Sequence, residues 1–191
     1  FTQDSPIQNG SMQNSSSQER PFHGSAIGES PARFDTPKEF VEALYDDAQA
    51  AGEKIGVPAE MLLAQSALET GWGQKVIRSS DGQESHNLFG IKANAAWQGP
   101  SDAATTLEYH EGVASKSVEK FRHYDSYSES FSDYVDFLHS NPRYESALAT
   151  SSDNYIEELQ KAGYATDPAY AEKVRRVMSS PSMRDSLKAL R

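Results

Sequence analysis

Residues 61–73, Met61-Leu62-Leu63-Ala64-Gln65-Ser66-Ala67-Leu68-Glu69-Thr70-Gly71-Trp72-Gly73, read as an apolar helix that stops at a Gly-Trp-Gly turn. A helix this apolar has to be covered by other elements, so the chain is built around it. Gln65 and Glu69 stand one turn apart on a stripe separate from Met61, Leu62, Ala64 and Leu68, which places two polar groups on one face. Glu69 is the one carboxylate in the run, and it comes just before the break. A carboxyl delivered to the open end of a buried helix, beside an aromatic that can wall a cleft, is shielded from water. Its pKa then rises, as an acid catalyst working near neutral pH requires. The plainer reading is a solvated glutamate near a helix end.

The rest of the chain divides in two. Residues 1–33 are crowded with Ser, Gln, Asn, Gly and Pro and show no apolar periodicity. Such a segment buries too little surface to offset its ordering entropy and reads as a disordered linker. Residues 34–191 are long enough for one compact core. The chain opens on Phe, which reads as a fragment whose upstream half is missing, and no signal peptide is visible. A formal net charge of -10 argues against nucleic acid and anionic membrane surfaces. No run approaches the roughly 20 apolar residues of a membrane span. The sequence has no cysteine, and its 5 histidines lack metal-ligand spacing, so neither a metal nor another cofactor is expected.

Thr36-Pro37-Lys38-Glu39 is a helix start: an N-cap, a proline at the first helical position, and a glutamate three residues on. Phe40, Val41, Leu44, Ala48, Ala51 and Ile55 follow at helical spacing until Gly56. Pro58 opens the second helix. Residues 102–124 change to Thr, Val, Tyr and Phe alternating with charges, split at Glu111-Gly112, which predicts a β-hairpin. Helical spacing returns over 126–138, closed by Asn141-Pro142. A short turn follows at 144–148, then a helix capped by Asp153 and stopped by Gly163, and a last clear helix over 169–178. The fold class is α+β: a mostly helical, lysozyme-like domain with an inserted β-hairpin lobe.

The run from Leu63 to Gly73 and the segment His86-Asn87-Leu88-Phe89-Gly90-Ile91-Lys92 resemble the bacterial peptidoglycan-hydrolysing N-acetylglucosaminidases, in particular their flagellar branch. Thr105-Thr106-Leu107-Glu108-Tyr109, Phe121-Arg122-His123-Tyr124-Asp125-Ser126-Tyr127 and Ala162-Gly163-Tyr164-Ala165-Thr166-Asp167-Pro168 fit the same pattern in the same order. The resemblance covers roughly residues 35–180. The glutamate motif alone would also suit lytic transglycosylases and goose-type lysozymes.

The resemblance implies an endo-β-N-acetylglucosaminidase that cleaves the β-1,4 bond between N-acetylglucosamine and N-acetylmuramic acid, with Glu69 as general acid. Peptidoglycan glycan strands would be the partner. In a flagellar context, rod proteins would be reached through the missing N-terminal half, and the enzyme would work in the periplasm. Glu108 matches the family's second glutamate; otherwise it is an exposed strand residue pairing with Lys116 or Lys120. Glycoside hydrolysis commonly uses two carboxylates, and their separation distinguishes a water-inverting from a covalent route. A third route uses the substrate's own acetamido oxygen, and Tyr164, the family's matching tyrosine, could orient that amide. Its alternative is a core aromatic, one of 9 tyrosines.

Trp72, Phe89, Trp97 and Tyr124 are candidates for stacking on sugar rings. Trp97, in loop-like sequence, is the better subsite; Trp72 and Phe89 read more as packing under the cleft. Asn87 and Gly90 read as fixing the turn beneath the sugar. Gln65 either orients Glu69 or is solvated. Two other functions stay open: a lytic transglycosylase on the same polymer, and a non-catalytic wall-binding or flagellar assembly module.

Overall fold

The computed structural model describes residues 34–110 and 113–190, with side chains described up to 105 and again from 116 within the hairpin. The linker expected over 1–33 and the turn at Glu111-Gly112 lie outside the described residues.

Helix α1, Pro37–Ile55, begins as its sequence dictates. The Thr36 hydroxyl accepts from the Glu39 amide at 3.2 Å, and the Glu39 carboxylate accepts from the Asp35 amide at 2.9 Å. Helix α2, Ala59–Thr70, is the central element. Met61, Leu62, Leu63, Ala64, Gln65, Ser66 and Ala67 are all buried, with α1 against one side and α6 against another. Each fully buried leucine, Leu62 and Leu63, contributes roughly 2 kcal/mol by removal from water.

Helix α3, Tyr127–Ser140, is capped by the Ser126 hydroxyl and lays Phe131, Tyr134, Val135 and Leu138 into the core. A single 3-10 turn, Pro142–Tyr144, leads into α4, Glu145–Ala149. Helix α5, Tyr155–Lys161, starts after Asn154 with no side-chain cap, so Asp153 does not cap it as expected. Helix α6, Tyr170–Met178, packs across α2.

Helix α7, Pro181–Lys188, was not expected from the sequence. Its start signal is present, since Ser180 accepts from the Met183 amide, but its surface is mostly polar. It is held by burying Met183 and by packing on α1.

The two strands, β1 (Ser101–His110) and β2 (Val113–Arg122), form an antiparallel hairpin in register from Ser101↔Arg122 to His110↔Val113. A lone hairpin is marginal in water, and this one is secured at its base. Arg122 N donates to Ile91 O at 3.0 Å, Lys92 bridges Phe121, and the Arg122 guanidinium grips both Asp133 carboxylate oxygens on α3 at 2.8 Å. The α+β expectation of a helical domain with an inserted hairpin lobe is the observed architecture. Among the described residues, no helix is long and apolar enough to cross a membrane.

Candidate active site

Glu69 lies in the last turn of α2, where the helix unwinds through three consecutive left-handed residues: Gly71 (φ 57°), Trp72 (φ 61°) and Gly73 (φ 80°). Thr70 secures the unwinding. Its hydroxyl donates to Ser66 O at 2.7 Å and accepts from Gly73 N at 2.9 Å. A Cβ at Gly73 would stand 2.4 Å from the Phe34 ring, so only glycine fits there. The break therefore presents Glu69 at a helix end.

The surroundings of Glu69 are crowded but not dry. The residue is exposed, which corrects the expectation of a carboxyl shut off from water. Protein nonetheless flanks the acid closely enough to raise its pKa from 4.5 to about 7. Desolvation is the largest cause, and the neighbouring Tyr170 hydroxyl opposes it. Gly90, at φ 63°, forms one wall of this space.

Behind Glu69 is a cluster of tyrosines around a buried amide. Gln65 is fully buried, so its solvated reading is overturned. Its Oε1 accepts from the Tyr134 hydroxyl at 2.9 Å, and the Tyr134 and Tyr155 hydroxyls are 2.6 Å apart. Tyr164 is half-buried and donates to Phe89 O at 2.6 Å. Burial, then Tyr170 and Glu69 nearby, push its phenol well above the usual range, so it is a neutral donor. Tyr170, packed beside Tyr164 with ring centroids 5.8 Å apart, is buried. Neither Tyr134, Tyr155 nor Tyr170 was singled out from sequence. The available signal was a tyrosine in the apolar stripe of α3, since a buried phenol needs a partner.

The segment at residues 86–91 fixes the floor. Asn87 is buried and saturated: its Nδ2 donates to Ile91 O and Arg122 O, both at 2.9 Å, and its Oδ1 accepts from Ile91 N at 3.1 Å. Phe89 is stacked on Tyr134 at 4.0 Å and is 1 % exposed. Both residues shape the site from below, as the packing reading has it, and neither is offered to a ligand surface. Trp72 is half-buried and packs edge-on against Phe40.

Tyr124 is corrected from a stacking residue to a structural one. It is buried, and its hydroxyl donates to Asp133 at 2.6 Å. Trp97 is half-buried with the Arg122 guanidinium 4.5 Å over its ring, and its indole N–H donates to Pro100 O at 2.9 Å. The indole is thus held rigidly in its loop at the foot of the hairpin. Glu108 has its backbone in β1 opposite Ser115; its side chain lies outside the described residues. Two shallow depressions of about 460 and 440 Å³ open elsewhere, beside Gly52 and Val57 and beside Leu138 and Pro142, and neither includes Glu69. Among the described residues, no cluster of His, Asp and Glu is placed to hold a metal ion.

The arrangement can deliver a proton from Glu69 into the space beside Gly90 and Tyr164, with the buried Tyr170 behind the carboxyl. Comparison with known proteins bears on what receives it. Residues 45–182 match the glucosaminidase family model, described as mannosyl-glycoprotein endo-beta-N-acetylglucosaminidase. The chain is 48% identical over 155 residues to peptidoglycan hydrolase FlgJ of Vibrio parahaemolyticus, covering 80% of this chain and 50% of that one. It therefore spans about half the length of that curated relative. Among solved structures, a peptidoglycan hydrolase mutant from Sphingomonas sp. A1 superposes with a TM-score of 0.76 at 44% identity, over 80% of this chain and 99% of that one. A C-terminally truncated glycoside hydrolase domain of Salmonella typhimurium FlgJ gives 0.61 at 46% identity, over 80% and 98%.

Proposed function

Because this chain belongs to the glucosaminidase family, we propose that it hydrolyses peptidoglycan at the β-1,4 bond between N-acetylglucosamine and N-acetylmuramic acid. The observation that carries this reading is Glu69: an accessible carboxyl whose pKa is raised to about 7, so that a large share is protonated near neutral pH. The Glu69 carboxyl gives its proton to the glycosidic oxygen as the bond to the N-acetylglucosamine anomeric carbon breaks. The carboxylate then takes a proton from the incoming water.

We favour the acetamido oxygen of the substrate as the internal nucleophile, a route some glycosidases use, because Tyr164 is a neutral phenol donor beside Glu69 that can orient it. That oxygen bonds the anomeric carbon as the leaving oxygen departs with the proton, and water later opens the cyclic intermediate. Tyr164 serves as the orienting donor by transferring its hydrogen bond from Phe89 O to the acetamide. Trp97, Trp72 and the hairpin flank the glycan, and Glu108, whose backbone lies in β1, is assigned the role of charge stabiliser. The setting that fits the similarity to FlgJ is the periplasm, where the domain opens the wall for the flagellar rod. Its partners there are rod proteins engaged through a further part of the polypeptide.

The test is digestion of purified sacculi followed by mass spectrometry. Water-added fragments ending in reducing N-acetylglucosamine, lost in Glu69→Gln, support the reading. Fragments ending in anhydro-muramic acid make the protein a lytic transglycosylase. Release that is unaffected by Glu69→Gln, or absent from the native protein, removes the enzymatic assignment and leaves a wall-binding or assembly module.

A further inference from the structure

Two buried polar atoms behind Glu69 have no hydrogen-bond partner: Gln65 Nε2 and the Tyr170 hydroxyl. Gln65 is 0 % and Tyr170 4 % exposed, so bulk solvent does not reach them. Leaving two such groups unpaired is costly, and this usually marks a function or a second arrangement. The hydroxyl stands beside both the Glu69 carboxyl and the Gln65 amide without hydrogen-bonding geometry to either.

The donor directions of the cluster follow from its fixed members. Tyr134 donates to Gln65 Oε1, so the shared contact between the two phenols must run from the Tyr155 O–H to the Tyr134 oxygen. With its oxygen held, the Gln65 amide can only offer Nε2–H on its other side. The acceptor available there is the Tyr170 oxygen, which leaves the Tyr170 O–H free to point at Glu69.

We propose that Gln65 and Tyr170 are positioning residues that complete a one-way relay, Tyr155 to Tyr134 to Gln65 to Tyr170 to Glu69, when Glu69 loses its proton. The relay is a set of donors aimed at the conjugate base. It stabilises the carboxylate left after proton donation and so offsets the desolvation that keeps the acid protonated. The groups facing Glu69 are Tyr170 from α6 and Tyr164 from the loop before it, with Tyr134 of α3 and Tyr155 of α5 behind. No lysine, arginine or other carboxylate among the described residues contributes to its titration. The role assigned to Gln65 and Tyr170 rests on Glu69 being the acid; their hydrogen bonding does not.

The test reads Glu69 directly. In the full chain carrying carboxyl-¹³C glutamate, the Glu69 resonance is the one absent from Glu69→Gln, and its chemical shift is followed against pH. Tyr170→Phe should raise the midpoint by about one pH unit. Gln65→Met should raise it by less, and the double variant should go no further than Tyr170→Phe alone. An unchanged or lowered midpoint in folded Tyr170→Phe overturns the relay. Should Tyr170→Phe not fold, 3-fluorotyrosine placed at position 170 is a stronger donor in the same shape. The midpoint must then fall, and an unmoved one overturns the relay equally. These measurements need no turnover. A moved midpoint in a protein inert on sacculi sinks the glucosaminidase reading alone; an unmoved midpoint in an active protein sinks the relay alone.

Discussion

A Cβ built on Gly90 would stand 3.5 Å from Glu69 Oε2, so a methyl at position 90 would lie in van der Waals contact with the carboxyl. Gly90 also has φ 63°, where a Cβ is strained. Gly90→Ala should lose about 1–2 kcal/mol of stability from the left-handed backbone, read by denaturant unfolding. Its methyl, in van der Waals contact with Glu69, further desolvates the acid. The alkaline limb of the pH–rate profile should therefore move upward, while a purely backbone effect would leave it in place.

The raised pKa of Glu69 makes a signed prediction about stability. The folded carboxyl titrates at about 7 and the unfolded one near 4.5. Between these values the native state binds more protons than the unfolded state, so stability falls as pH rises through the window. The loss is complete above the folded value. Glu69→Gln removes this liability. The variant should melt above the native protein well on the alkaline side of 7, and the difference should shrink as the pH approaches 4.5. Thermal unfolding across that range measures it. Equal melting at every pH would mean that Glu69 has an ordinary pKa.

The same carboxyl limits the pH range of turnover. An acid catalyst works only while protonated, so kcat/KM should decline as pH passes through about 7. Sacculus digestion rates over a pH series check this. A rate that keeps rising through that region would assign Glu69 the role of a base.

The hairpin foot offers a stability test separate from the acid. Arg122 and Asp133 are both mostly buried, with the Tyr124 hydroxyl on the same carboxylate and Trp97 under the guanidinium. Asp133→Asn leaves Arg122 without its counter-charge, which should cost about 3 kcal/mol. Because Arg122 lies over the Trp97 ring, tryptophan emission should change along with the unfolding midpoint. Destabilisation without any spectral change would show that the stack does not depend on the ion pair.

What the sequence disclosed was local. Thr36, Pro37 and Gly56 bound α1 because caps and φ preferences act over four residues, and Gly71-Trp72-Gly73 marked the end of α2 for the same reason. The position of Glu69 at that break followed directly. The burial of Gln65 did not, because its partners Tyr134 and Tyr155 come from helices far along the chain, and a lone polar residue at helical spacing looks solvated. Tyr124 was misjudged as a stacking ring because the acceptor for its hydroxyl, Asp133, sits on the next helix with no signal in the local motif. Helix α7 was missed because its stability comes from Met183 reaching the core rather than from a strong apolar stripe.

The route of the reaction can be decided between Tyr164 and Glu108. Tyr164 already donates its hydroxyl to a backbone carbonyl beside Glu69, so redirecting it to an acetamide costs one exchange of hydrogen bonds. If the acetamido oxygen is the nucleophile, Tyr164→Phe should lower kcat on the order of 10²-fold with KM little changed, because the lost contact strengthens only in the transition state. Glu108→Gln should then lose less, and proton NMR of fresh digests should show the β-anomer of the new reducing end. Both displacements at the anomeric carbon invert it, so the net outcome is retention. A fresh α-anomer would require direct attack by water and a second carboxylate as base. That result, with Glu108→Gln the more damaging variant, would transfer the base role to Glu108 and reduce Tyr164 to packing.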